Sequence, residues 1–227
     1  CDYTGAPYAV AVNSCTMALL LAVAWYIKNG DLWLNECKTR IREELPLGFP
    51  DFRFKQTVSI PKHTYISVPM SIIHAGGKPT FRDEEWRGAY QLKPLPVWDS
   101  ARLFTTGMYH DLTWEDANRN GKGRTDSLRH QMVCLSFHAS KTLGLEQGGA
   151  ILHDNLEADA WFRRARFDGR TEGIAPKDDQ FDMIGWHCYM NPSTAAQGLL
   201  KLHSLPRHNE PLPNDEYADL SKMEIFK

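Results

Sequence analysis

The chain has 227 residues, of which 42% are hydrophobic and 24% charged, enough apolar material for one full domain with a sizeable core. A formal net charge of −2 argues against nucleic-acid binding through bulk electrostatics, and the longest apolar run, residues 17–27 (MALLLAVAWYI), is too short to cross a bilayer. Five scattered cysteines without CxxC spacing suit a reducing, cytoplasmic setting rather than a disulfide framework, and the nine histidines form no ligand pair, so no metal is expected. The opening CDYTGAPYAVAV carries no signal peptide and reads like the middle of a fold, which would place the true N-terminus upstream.

In chain order, the apolar run Ala9 to Val12 reads as a buried strand, stopped at Asn13-Ser14, residue types that cap helices. The helix then runs through MALLLAVAWYIKNG, with Gly30 as its expected stop. A strand that feeds a helix through Asn-Ser-Cys-Thr leaves free N–H groups beside small hydroxyls, an arrangement suited to an anion; the plain alternative is ordinary N-capping. Asp31 to Lys55 mixes a charged helix-like stretch with a turn-rich one and reads as a surface excursion. Strands follow at Thr57 to Ile60 and Pro79 to Phe81, with a helix over Ile66 to Ala75 between them.

Pro94 to Val97 leads into Trp98-Asp99-Ser100-Ala101, a strand end that carries an acid. Asp111 to Gln131 contains NRNGKGRTD and reads as an exposed insertion. Further strands are expected at Met132 to Phe137 and Gly149 to Leu152, then a helix from Leu156 that stops at Asp168-Gly169, and another after Asn191-Pro192 with Ser193 as its cap. After Pro206 the composition turns polar and proline-bearing, so residues 206–227 read as a tail along the surface or against a partner.

Short strands alternating with helices predict an α/β three-layer sandwich with a mostly parallel central sheet, whose ligand crevice opens at the carboxyl ends of the strands. Ser14, Thr16, Tyr65, Asp99, Ser136 and Lys141 fall mostly at or just beyond such ends. A lysine, an aspartate at a neighbouring strand end, an aromatic ring and a hydroxyl-rich anion nest are what pyridoxal phosphate asks for. The amine bonds the aldehyde, the carboxylate pairs with the pyridine nitrogen, the ring stacks, and the nest holds the phosphate. A chance constellation of the same residues is the alternative.

The segments AVAVNSCTMALLLA, PKHTYISVPMSIIHAGGKPTFRD, VWDSA, SFHASKTLGLEQGGAI and GWHCYMNPSTAAQGLLKL resemble, in order, successive blocks of the DegT/DnrJ/EryC1/StrS family. These are fold-type I, pyridoxal-phosphate-dependent enzymes, mostly sugar aminotransferases. The resemblance implies a cofactor-binding large domain over residues 1–205, with insertions at 31–55 and 111–131 and a short tail at 206–227. It makes Lys141 the lysine that bonds the coenzyme and shuttles the proton, and Asp99 the partner of the pyridine nitrogen. Ser14, Cys15 and Thr16 become the phosphate turn, Ser136 a further phosphate contact and Tyr65 the stacking ring.

Three departures stand out. Arg102 occupies a place near the coenzyme's phenolic oxygen where the family usually has His or Gln; it either stabilises a phenolate or pairs elsewhere. His187 replaces an asparagine that reaches the phosphate from the second subunit of a homodimer. The resemblance would also leave this chain as a shortened member without most of the family's C-terminal domain. The implied activity is transfer of an amino group, from glutamate or a similar donor, to a keto group of a nucleotide-linked sugar. The alternatives are another small or nucleotide carbonyl acceptor, or a silent module that keeps the fold. Arg163, Arg164, Arg166 and Arg170 are candidates for substrate phosphates or a plain solvated face, and His138 reads as a packed residue.

Overall fold

The computed structural model describes residues 1–41, 57–112 and 130–227; residues 42–55 of the first expected insertion and 113–129 of the second lie outside them. The strands are β1 (Tyr8–Val12), β2 (Thr57–Pro61), β3 (Lys78–Arg82), β4 (Tyr90–Gln91), β5 (Val97–Ser100), β6 (Met132–Ser136) and β7 (Gly149–His153). The helices are α1 (Cys15–Ile41), α2 (Ser67–His74), α3 (Leu156–Ala165) and α4 (Pro192–Ser204).

The main sheet has the order β1-β7-β6-β5-β4, and β2 and β3 form a parallel pair beside it. Two hydrogen bonds between Ser59 and Lys93 (2.7 and 3.0 Å) join the pair to the chain just beyond β4 in an antiparallel bridge. The α/β sandwich is therefore as expected, and most strands run in one direction, while the pairing between neighbours is mixed. Only β5–β6 is a parallel pair in the main sheet, whereas β1–β7, β6–β7 and β4–β5 are antiparallel. The reason lies in the connections. A parallel crossover takes a dozen or more residues, usually with a helix, and the short link from Gln91 to Val97 closes only as a hairpin. Strands β1, β2, β3, β5 and β6 nonetheless run the same way, so their carboxyl ends share one edge.

Both faces of the sheet are covered, and period-two alternation assigns the side chains. Val10, Val12, Met132, Cys134 and Ile151 face a core built with α1, α2 and α3. Val133, Leu135, Ala150 and Leu152 face a second core with Phe104, Met108, Phe137 and Leu145. Helix α1 is apolar all round over residues 18–24, and these side chains are buried, as a central helix requires. It does not stop at Gly30 but continues to Ile41, since one glycine inside a helix costs only about 1 kcal/mol relative to alanine. Residues 31–41, expected in a surface excursion, therefore extend α1. The cap of α4 is Asn191 rather than Ser193: its side chain accepts the Ser193 N–H at 2.9 Å, and Pro192 takes the first helical position, where no N–H is needed.

Candidate active site

A cavity of about 330 Å³ opens where the carboxyl ends of β1, β2, β5 and β6 meet. Its lining includes Ser14, Cys15, Thr16, Tyr65, Asp99, Arg102, Ser136 and Lys141, so the structure brings together every sequence-predicted site residue except His187. The close approach at its base depends on Gly149. A Cβ there would stand 2.6 Å from the Ser14 carbonyl carbon and 2.7 Å from the Cys15 nitrogen, so only glycine lets β7 pass under the start of α1.

Asp99 is 5% exposed, at the centre of the floor. Its Oδ2 accepts the Tyr90 hydroxyl at 2.8 Å and its Oδ1 the Ala101 N–H at 2.9 Å. Burial pushes the carboxyl above its ordinary range, opposed by these two donors and by the charges of Lys141 and Arg102. Burial, followed by the Arg102 guanidinium, holds the half-buried Lys141 amine below its ordinary range, with Asp215, Asp99 and Cys15 pulling the other way. An amine so depressed keeps more of its nucleophilic neutral form near neutral pH. Burial raises the Cys15 thiol well above its usual range, and Asp99 and Cys134 add to this, so it stays protonated.

The anion nest is partly committed. The Ser14 hydroxyl accepts the Met17 N–H at 3.2 Å and donates to Asn13, so ordinary capping is what this side chain does here. The Thr16 and Ser67 hydroxyls lie 2.9 Å apart, which brings the starts of α1 and α2 to one wall. The first-turn amides of a helix have no intrahelical acceptor, and with these hydroxyls and Ser136 they suit an anion. Tyr65 is 58% exposed at the rim. His138, read as a packed residue, is instead exposed and lines the cavity, with Nδ1 3.0 Å from the Ser140 hydroxyl; it stands beyond the end of β6, where the chain has left the sheet.

Sequence reasoning missed the other wall. Residues 206–220 fold back across the strand ends, with Leu212 N–H on the Arg102 carbonyl (2.8 Å) and Leu220 N–H on that of Lys62 (2.9 Å). This brings Asp215 and Tyr217 into the lining, beside Trp86. Arg102 is thereby engaged: its Nε donates to the Tyr217 hydroxyl at 3.0 Å, and its other nitrogens bind the Pro213 carbonyl and Asp215. Of the two readings for Arg102, pairing elsewhere is the one seen. Trp86 stacks on Tyr217 (6.1 Å, 21°) and donates to the His63 carbonyl at 2.9 Å. The only sequence signal for this wall is an aromatic-acidic cluster, NDEY, in an otherwise polar tail.

His187 lies elsewhere, exposed and paired with Asp168 at 2.7 Å. None of the four candidate arginines lines the cavity. Arg163 binds Asp159, Arg164 binds Asp182, Arg166 binds Glu172, and Arg170 packs on the Phe167 ring. Among the described residues no group of three or more His, Cys, Asp or Glu side chains is placed to hold a metal, and no helix is long and apolar enough to cross a membrane.

Solved structures of aminotransferases share this fold. S. venezuelae DesV, solved with a ketimine intermediate, is 20% identical with a TM-score of 0.56 over 89% of this chain and 54% of its own. Helicobacter pylori PseC, an aminotransferase in pseudoaminic acid biosynthesis, is 15% identical with a TM-score of 0.59 over 91% and 56%. The sugar aminotransferase CalS13 of Micromonospora echinospora is 17% identical with a TM-score of 0.57 over 88% and 57%. Residues 117–212, which include Ser136, Lys141 and His187, match the DegT/DnrJ/EryC1/StrS aminotransferase family, the family that the sequence blocks resemble. The blocks before residue 117 rest on likeness of fold alone. The chain spans about half the length of these solved structures, and no curated protein matches it.

Proposed function

We propose that this chain is the cofactor-binding part of a pyridoxal-phosphate-dependent aminotransferase. It would move an amino group from an amino acid, glutamate foremost, to a keto group, that of a nucleotide-linked sugar first. The observation that carries this reading is a half-buried lysine and a buried aspartate on one cavity whose wall is a helix N-terminus with hydroxyls. The family match over residues 117–212 and the likeness to sugar aminotransferases support it.

The residues present fit the coenzyme. Asp99 offers a carboxylate held by two donors, suited to a protonated ring nitrogen. Thr16, Ser136 and the amides of Cys15 and Thr16 offer neutral donors to a phosphate, and Lys141 offers the amine. Tyr65 and Trp86 supply aromatic faces at the rim. When bound, the coenzyme supplies an electron sink for charge developing on the substrate carbon. The protein's part is then to hold Asp99 ionised, to present the Lys141 amine as nucleophile and proton carrier, and to exclude water with the wall of Trp86 and Tyr217. A cavity of about 330 Å³ stands near the lower end of the ~300–1,000 Å³ common for small-molecule sites, so the larger part of an acceptor would rest outside it. That favours a second copy as cover, and we place His187 of such a copy near the phosphate in a homodimer with shared sites.

The same narrowness favours, as second reading, a small carbonyl acceptor in place of a sugar nucleotide. The test is the absorbance of the protein with pyridoxal phosphate, for the wild type and Lys141→Ala, before and after glutamate. A visible band that requires Lys141 and fades on adding glutamate is the expected result. Absence of the band in the wild type overturns the lysine assignment. A band that glutamate leaves unchanged moves the donor to another amino acid or, if none shifts it, makes the chain a silent binding module.

A further inference from the structure

Strand β4 is only two residues long, yet it places one side chain against the floor of the cavity. Tyr90 is registered opposite Asp99 in the antiparallel β4–β5 pair, so both project to the same face of the sheet. Its hydroxyl lies 2.8 Å from Asp99 Oδ2 and 2.6 Å from the Thr64 hydroxyl, and both Tyr90 and Thr64 are at most 3% exposed. A phenol has one proton, and the carboxylate is the stronger acceptor, so Tyr90 donates to Asp99 and Thr64 donates to Tyr90. The Trp86 ring, 4.7 Å from that of Tyr90, closes the far side.

We propose that Tyr90, seated by Thr64, is the positioning residue of this site, fixing the plane and the ionised state of the Asp99 carboxylate. The proposal rests on the pyridoxal-phosphate reading only for what Asp99 then does. With Tyr90 on Oδ2 and the Ala101 amide on Oδ1, both oxygens are held and the carboxylate cannot rotate without losing a buried bond. The remaining lone pairs are left for a cationic partner in the cavity. Burial favours the neutral acid, and the hydrogen bond from the Tyr90 hydroxyl opposes it most. The other ionisable groups acting on Asp99 are Lys141 and Arg102, while Cys15, Cys134 and Tyr217 feel its charge in turn.

The experiment is a ¹³C NMR titration of the Asp99 carboxyl in cofactor-free protein, assigned with Asp99→Asn, for the wild type, Tyr90→Phe and Thr64→Val. Tyr90→Phe should raise the pH at which Asp99 titrates, and Thr64→Val should raise it less. Pyridoxal phosphate should bind Tyr90→Phe about tenfold more weakly, the scale of one lost hydrogen bond to a charged group. Should Tyr90→Phe fail to fold, Thr64→Val decides the matter by the same shift. An Asp99 titration unmoved in the folded variants overturns the proposal even if the wild type shows its lysine-dependent band. If the wild type shows no such band, the coenzyme reading fails, and the cofactor-free titration still decides Tyr90.

Discussion

The two walls of the cavity are built in different ways. One is the sheet and the start of α1. There Asp99, Ser136 and the Ser14-Cys15-Thr16 turn are held by strand ladders, and Leu21 and Val12 are fully buried beneath. The other is the strap of residues 206–220, which belongs to no strand and is held by individual contacts, chiefly Arg102 with Asp215 and Tyr217, and Asn214 with the Trp86 carbonyl (2.6 Å). The difference teaches that placement of the candidate site residues and closure of the cavity are separable. The first is bound to the stability of the whole domain; the second rests on separate side-chain and backbone bonds with no strand ladder, which can open locally.

The largest expected effect is on the sheet side. Asp99→Ala should reduce amino transfer by at least about a hundredfold, the scale of losing one preorganised charged group, with little change in fold. Steady-state rates beside far-ultraviolet circular dichroism check this, and wild-type activity in the variant would remove Asp99 from the mechanism. Leu21→Ala should cost about 2–5 kcal/mol of stability, read from the urea midpoint, because it opens a cavity under α1. Gly149→Ala should cost about 1–3 kcal/mol and weaken coenzyme binding together, since its Cβ would push the Ser14-Cys15 turn.

On the strap side, Arg102→Gln should leave the urea midpoint closer to that of the wild type than either core variant while changing the pH profile. Arg102 lowers the Lys141 amine by repulsion, and its removal also frees the Asp215 charge, which raises that amine. The Lys141 pKa should therefore rise, and the acylation rate of the amine at fixed neutral pH should fall; a rate unchanged or faster would break the link between strap and amine. Tyr217→Phe should be mildest, about 0.5–1.5 kcal/mol for one hydrogen bond, visible as faster amide exchange confined to residues 212–220. Exchange that accelerated in β5 and β6 as well would show that the two walls are not separable.

Much of the sheet wall was legible in the chain itself. The runs AVAV, VWDS and MVCLS alternate or stay apolar as buried strands must; Asp99 and Ser136, within the second and third, line the cavity, and Ser14 follows the first. Asp99 stood out because an acid in an apolar strand has little reason to be there for packing alone, and Lys141 because it follows such a strand within one turn-rich stretch. Strand direction was harder to read. Periodicity marks a strand but not its neighbour, and the hairpin between β4 and β5 depends on how a short link closes. The end of α1 was misplaced for a related reason, since the cost of one glycine is outweighed by the helix around it.

Local order, then, came from the sequence alone: the strand segments, the buried helix after Asn13-Ser14, and the singling out of Asp99 and Lys141 as candidates. Tertiary structure decided what local order cannot. It set Tyr90 opposite Asp99, committed the Ser14 hydroxyl to a cap, and engaged Arg102 with a strap more than a hundred residues further along the chain. The physical reason is range. Periodicity, caps and turns are encoded within a few residues, whereas a contact between Arg102 and Asp215 exists only once folding has brought these two distant segments to one edge.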